Sequence, residues 1–206
     1  MDGIKKEGYH VPYKIGLLST HGTGKTALAH ALVGEFKKRG YKTKVISEVA
    51  TSLFEKGVPI NENTTLPAQL SIMMEQISEE LWGTIKEYDI IITDRSVFDN
   101  FIYLQRKCGH DQNILNFITW YAEKFPYSTL YKLPMMGALQ KDGVRSVNEE
   151  FQKGVYQQLN DFLNQNRIEH VELPVPKTEF REEWIDIIVK NTMEDLSKMG
   201  ILKWMK

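Results

Sequence analysis

The chain has a single cysteine, Cys108, among 206 residues. A lone thiol cannot close an internal disulfide, which excludes a disulfide-stapled scaffold and suits a reducing compartment. Cys108 itself reads as an ordinary helix-end residue. Long apolar runs are missing as well. Nowhere does the sequence hold the roughly 18 consecutive apolar residues that a membrane helix needs. The opening MDGIKKEGYH also lacks the apolar core of a secretory signal. Net charge is only −1, so no global field draws the molecule to nucleic acid or to a membrane, although one local basic groove would suffice for the former. Repeats, low-complexity tracts and zinc-type His/Cys spacings are absent. The expectation is a cytoplasmic protein, or one of the host cytoplasm if the source is viral. What remains is an ordinary globular composition, 42% hydrophobic and 26% charged, in a length that suits one domain spanning 1–206.

Short β-branched runs alternate with long amphipathic stretches. The runs are 14–19 (KIGLLS), 44–47 (KVIS), 89–93 (DIIIT), 128–133 (STLYKL) and 169–173 (EHVEL). Helices are expected over 25–39, stopped by Gly40, and over 67–88, 96–106, 113–123, 149–164 and 179–198. Continuous apolar strands between helices mean a parallel sheet covered on both faces, a doubly wound α/β fold with ligands at the carboxyl ends of its strands. Leu70, Met73, Met74, Ile77 and Leu81 form a core stripe on the 67–88 helix. Gln69 and Gln76 on that helix could read a base edge but are expected to face solvent. Trp184 and Trp204 read as helix-packing residues.

Between the first strand and the first helix stands Ser19-Thr20-His21-Gly22-Thr23-Gly24-Lys25-Thr26. Its end matches the P-loop, or Walker A, pattern G-x-x-x-x-G-K-[ST], with Ser19 in place of the first glycine. From Gly22 to Ala27 the same letters also read G-x-G-x-x-A, a dinucleotide fingerprint, and Glu48 lies where a ribose-binding carboxylate would follow. The side chains favour the P-loop. Its consecutive backbone N–H groups, from His21 to Ala27, wrap phosphates at a helix N-terminus. Lys25 then reaches the β- and γ-phosphates and the Thr26 hydroxyl holds Mg²⁺, whereas a dinucleotide loop has no use for either. Ser19 is tolerable there if its φ is negative. His21 is expected to matter through its backbone, not its imidazole.

The third strand ends in Thr93-Asp94-Arg95-Ser96. A strand-end aspartate beside a P-loop is placed to hold Mg²⁺, directly or through water. It could instead cap the following helix, which Ser96 could do as well. Arg95 occupies the place where ATPases that activate water usually carry a second acid. It points toward binding phosphate or carboxylate.

The segments STHGTGKT, SEVA (47–50), TDRS (93–96) and KDGVRS (141–146) together resemble the small AAA-type ATPase-like kinases, akin to nucleoside and nucleoside-monophosphate kinases of the P-loop superfamily. The Asp94-Arg95-Ser96 triplet is similar to the acid-Arg-Ser motif of deoxynucleoside kinases. The resemblance runs from Lys14 to about Leu173. It implies a three-layer sandwich whose five parallel strands lie in the order 2-3-1-4-5, with a small mobile lid at about 137–150. It implies Glu48 as the general base facing an acceptor hydroxyl; otherwise Glu48 is a surface carboxylate. Arg95 would bridge Glu48 or bind the acceptor side. Arg145, with Lys141 assisting, would reach the transferring phosphoryl from the lid, unless 141–145 is simply a solvated loop. The stiff Pro174-Val175-Pro176 loop lies where related kinases pack adenine.

The expected activity is ATP- and Mg²⁺-dependent transfer of the γ-phosphate. The acceptor would be a hydroxyl or phosphate of a nucleoside, a nucleotide or a modified base in DNA. The competing classes are a regulatory switch that binds and slowly hydrolyses ATP, and an NAD-dependent oxidoreductase. The partner is expected to be a small nucleotide or nucleoside, with modified DNA as a further option and no membrane.

Overall fold

The computed structural model describes residues 5–6, 8–47, 49–60, 63–135, 148–177 and 181–202. Two very short strands, β1 (Lys5–Lys6) and β2 (Tyr9–His10), pair antiparallel at the start. The main sheet follows: β3 (Tyr13–Leu18), β4 (Thr43–Ile46), β5 (Ile90–Thr93), β6 (Thr129–Lys132) and β7 (Val171–Glu172). All four pairings are parallel and the order is β4-β5-β3-β6-β7. Numbered within this sheet alone, that is the expected 2-3-1-4-5.

Every residue of β3 is buried, which explains why its sequence runs apolar without alternation. Ile15 and Leu17 pack on one face against α1 (Lys25–Lys38) and α7 (Glu182–Lys198), through Leu28, Leu32, Phe36, Trp184 and Ile188. Leu18 and Leu130 pack on the other face. That layer comprises α3 (Leu66–Ile85), α4 (Val97–Cys108), α5 (Gln112–Lys124) and α6 (Glu149–Gln165). Helix α3 lies close on β5 because Gly83 has no side chain: a Cβ there would stand 2.3 Å from Ile91 Cδ1. Cys108 is the exposed last residue of α4, and Trp184 is fully buried, as expected of both. Trp204 lies outside the described residues.

Three features differ from the sequence reading, the β1–β2 pair being the first. A short helix, α2 (Val49–Glu55), packs Val49 and Leu53 on Ile60 and on Ile72 of α3. The buried stripe of α3 is also rotated from the expected one. Met73 and Ile77 are buried, but Met74 is 44% exposed, while Gln69 and Gln76 are buried rather than solvent-facing. Residues 69, 73, 76, 80 and 83 share one face at helical spacing. That face carries polar groups because each has a partner. Gln69 Nε2 donates to Thr64 Oγ1 at 2.8 Å. Gln76 Nε2 donates to the Arg95 carbonyl and to Glu80, and Gln76 Oε1 accepts from Asn100. Neither amide is therefore turned outward to read a base.

At the amino-terminal edge of the sheet, Lys14 and Glu80 form a buried ion pair at 2.6 Å. Lys14 also donates to the Phe125 carbonyl and lies over the Tyr127 ring at 4.1 Å. Glu80 accepts from the Tyr121 and Tyr127 hydroxyls. Burial depresses the Lys14 pKa, against the pull of Glu80.

Candidate functional site

The loop from Ser19 to Gly24 leaves the carboxyl end of β3 and opens α1. Gly24 caps that helix at φ 86° without any side-chain acceptor, and Gly22 lies at φ 76°. Both positions need the left-handed region that glycine enters freely. Ser19 is not among the residues with positive φ, which is why serine can stand where the pattern has glycine. It is also tied down: Ser19 N–H donates to Asp99 Oδ1 at 3.2 Å, and its hydroxyl donates to the Leu133 carbonyl at 3.1 Å.

Lys25 is buried, and its ammonium curls into the loop. It donates to the Thr20 carbonyl at 2.5 Å and to the Ser19 carbonyl at 3.2 Å. Thr26 Oγ1 donates to Asp94 Oδ2 at 2.5 Å. Hydroxyl and carboxylate thus converge from adjacent strands, β3 leading to one and β5 ending in the other. Two hard oxygen donors at one point are the chemistry that Mg²⁺ takes. The helix-cap alternative for Asp94 is resolved by geometry. Ser96 caps α4, its hydroxyl accepting from the Phe98 and Asp99 N–H groups, while Asp99 accepts from Ser96 N–H in a reciprocal box. Ala27 is exposed in the first turn of α1, beside the loop.

Arg95 is buried, with its guanidinium 4.7 Å from the Tyr103 ring centroid. His21 is buried too. Its carbonyl accepts from Gln152 Nε2 at 2.8 Å, and its ring, expected to be idle, has Nδ1 3.1 Å from the Tyr103 hydroxyl. Glu48, Lys141 and Arg145 lie outside the described residues, as does most of the 137–150 segment.

Three residues of this region were not anticipated. Asp99 joins the loop to α4; the Ser-x-x-Asp spacing was its available signal. Burial pushes its carboxyl above the usual carboxylate range, while Lys25, Arg95 and the Ser96 donors pull it down. Tyr103 stands one turn further along the same helix. Arg181, the N-cap of α7, lays its guanidinium directly on Gly24, where an added Cβ would meet its Cζ at 2.3 Å. No local pattern marks Tyr103 or Arg181. Among the described residues no cluster of three or more His, Cys, Asp or Glu could hold a metal without further ligands, and no helix is long and apolar enough to cross a membrane.

The sheet order separates the two readings of the glycine loop. In the dinucleotide fold with order 3-2-1-4-5 the second strand flanks the first. Here the third strand of the main sheet does, which places Asp94, and not the end of the second strand, beside Thr26.

Comparison with known proteins agrees with this geometry. A family model described as AAA domain matches residues 14–182. The structure of NadR protein in complex with NAD and AMP-PNP superposes with a TM-score of 0.68 at 12% identity, covering 89% of this chain and 50% of that one. Deoxyadenosine kinase from M. mycoides, with dCMP and a flexible dCDP bound, gives 0.58 at 18% identity, covering 87% and 98%. Thymidylate kinase from Ehrlichia chaffeensis gives 0.57 at 14%, covering 88% and 98%. A 68-residue stretch is 35% identical to the UDP-N-acetylmuramoyl-L-alanyl-D-glutamate--2,6-diaminopimelate ligase of Phocaeicola vulgatus, but it spans 32% of this chain and 14% of the ligase. Identities this low among the solved structures speak for the fold and leave the substrate open. With its glycine loop, its strand order and a family match over most of its length, the chain belongs to the AAA domain family, and its fold is the one shared by these P-loop kinases.

Proposed function

We propose that the protein transfers the γ-phosphoryl group of ATP to a hydroxyl of a nucleoside or nucleotide. The observation that carries this reading is the meeting of Thr26 Oγ1 and Asp94 Oδ2 at the mouth of a loop whose lysine is already drawn inside. In it, the backbone N–H groups from His21 to Ala27 cradle the phosphates, and Lys25 turns from the loop carbonyls to the β- and γ-oxygens. Thr26 and Asp94 would hold Mg²⁺, which when bound offsets charge on the phosphates. Glu48 takes the proton of the acceptor hydroxyl. Arg95 binds or orients the acceptor side, and Arg145 reaches the transferring group. The fold neighbours that are nucleoside and nucleotide kinases support a small acceptor.

The test incubates the protein with γ-labelled ATP and a panel of nucleosides, nucleotides, NAD, and plain and modified DNA. Label in one hydroxyl-bearing acceptor is expected. Label in inorganic phosphate alone would make the protein a hydrolysing switch and end this reading. Lys25→Ala in the productive assay should lower turnover about 100-fold or more, on the order of 3 kcal/mol of transition-state stabilisation. Unchanged turnover would show that the loop does not hold the phosphates.

A further inference from the structure

Helix α4 reaches the P-loop twice along one face. Asp99 accepts from the Ser19 N–H at the loop's first position. One turn on, the buried Tyr103 meets the His21 ring at its third. The two faces of this tyrosine's chemistry are divided: its hydroxyl goes to His21, and its ring carries the Arg95 guanidinium at 4.7 Å. The start of α6 closes the group. The Phe151 ring lies 6.0 Å from His21 and 6.1 Å from Tyr103, and Gln152 holds the His21 carbonyl. Thus one side chain joins the phosphate loop to the arginine that follows Asp94.

We infer that Tyr103 is a positioning residue for both halves of the site: its hydroxyl sets the P-loop and its ring sets Arg95. It touches no reacting atom. Losing the hydroxyl loosens the loop and weakens nucleotide binding, while losing the ring removes one of the contacts that orient Arg95 and slows turnover. The two effects separate by chemistry, because phenylalanine keeps the ring and leucine keeps neither. Only the turnover effect rests on the phosphotransferase reading.

The experiment uses the full chain as wild type, Tyr103→Phe and Tyr103→Leu, with ADP binding by calorimetry, unfolding in urea, and turnover on the acceptor found in the panel. Tyr103→Phe should lose about 3- to 10-fold in ADP affinity, the size of one hydrogen bond, with a smaller loss of turnover at saturation than Tyr103→Leu. Tyr103→Leu should lose the same affinity and about 5- to 30-fold in turnover besides, the size of a desolvated cation–π contact. A tyrosine with a merely structural role would lower stability in both variants without this split. An unfolding cycle of Arg95→Met, Tyr103→Leu and the double variant should be non-additive by about 3-fold or more in the unfolding constant. Wild-type ADP affinity in Tyr103→Phe overturns the inference, and so does an additive cycle. Both arms need no acceptor, so a chain that transfers to nothing would end the phosphotransferase reading and still leave this one decided.

Discussion

Asp94 illustrates how much one carboxylate's neighbour reveals. Its Oδ2 accepts from Thr26 while Ser96 caps α4, so the hydrogen bond is one an asparagine oxygen could also accept, and what the amide loses is the charge a cation would use. Asp94→Asn should therefore leave folding nearly intact but raise the Mg²⁺ concentration needed for half-maximal turnover by about tenfold or more and lower the plateau. Magnesium titrations of both proteins would check this; superimposable curves would return Asp94 to a structural role. That Lys25, Thr26 and Asp94 would meet at the end of β3 was legible in the sequence, because a glycine loop after one strand and an acid ending its neighbour fix their places. Tyr103 and Arg181 were not legible, since they meet His21 and Gly24 only through the tertiary fold, 82 residues away in the first case.

Among the elements, α4 is the one on which the loop depends. Its capping box is built from Ser96 and Asp99, and the same aspartate accepts from Ser19. Because burial raises the folded-state pKa of Asp99, the native state binds its proton more tightly than the unfolded chain does. Stability from this group is then fully present below the ordinary carboxylate pKa and falls as pH rises through the raised one. Asp99→Asn removes that fall. Urea unfolding at several pH values from 4 to 7 should show wild type losing ground to Asp99→Asn as pH rises. Parallel profiles would mean the carboxyl is not perturbed. Element boundaries were mostly within two or three residues, since caps and glycines mark ends. Helix α2 was missed because Val49-Ala50-Thr51-Ser52 is short and rich in residues that favour other conformations. The burial of Gln69 and Gln76 was misread for a different reason. A polar stripe looks like a wet face until its partners elsewhere in the fold are known.

Across the whole molecule, the sheet carries the glycine loop at one end and a buried charge pair at the other. Lys14 and Glu80 lie in a closed polar cluster with two tyrosine hydroxyls, linked through Gln76 to the carbonyl of Arg95. Lys14→Met would leave the Glu80 carboxylate buried without its cation. The expected loss is about 3–5 kcal/mol of unfolding free energy, read from urea denaturation. A loss under about 1 kcal/mol would mean that the tyrosine and glutamine donors suffice alone. The strand order was within reach of the sequence because the motif resemblance implied it. The cluster was not, for its members come from β3, α3, α5 and the turn before β6.

Trp184 is fully enclosed at the start of α7, with its indole N–H donating to the Pro174 carbonyl and its ring 5.4 Å from the Arg181 guanidinium that rests on Gly24. Trp82 and Trp120 are about half exposed. The three described indoles therefore divide by accessibility: in a Trp204→Phe chain, iodide should quench the two outer ones and leave the emission of Trp184, whose charged neighbour rests on the glycine loop.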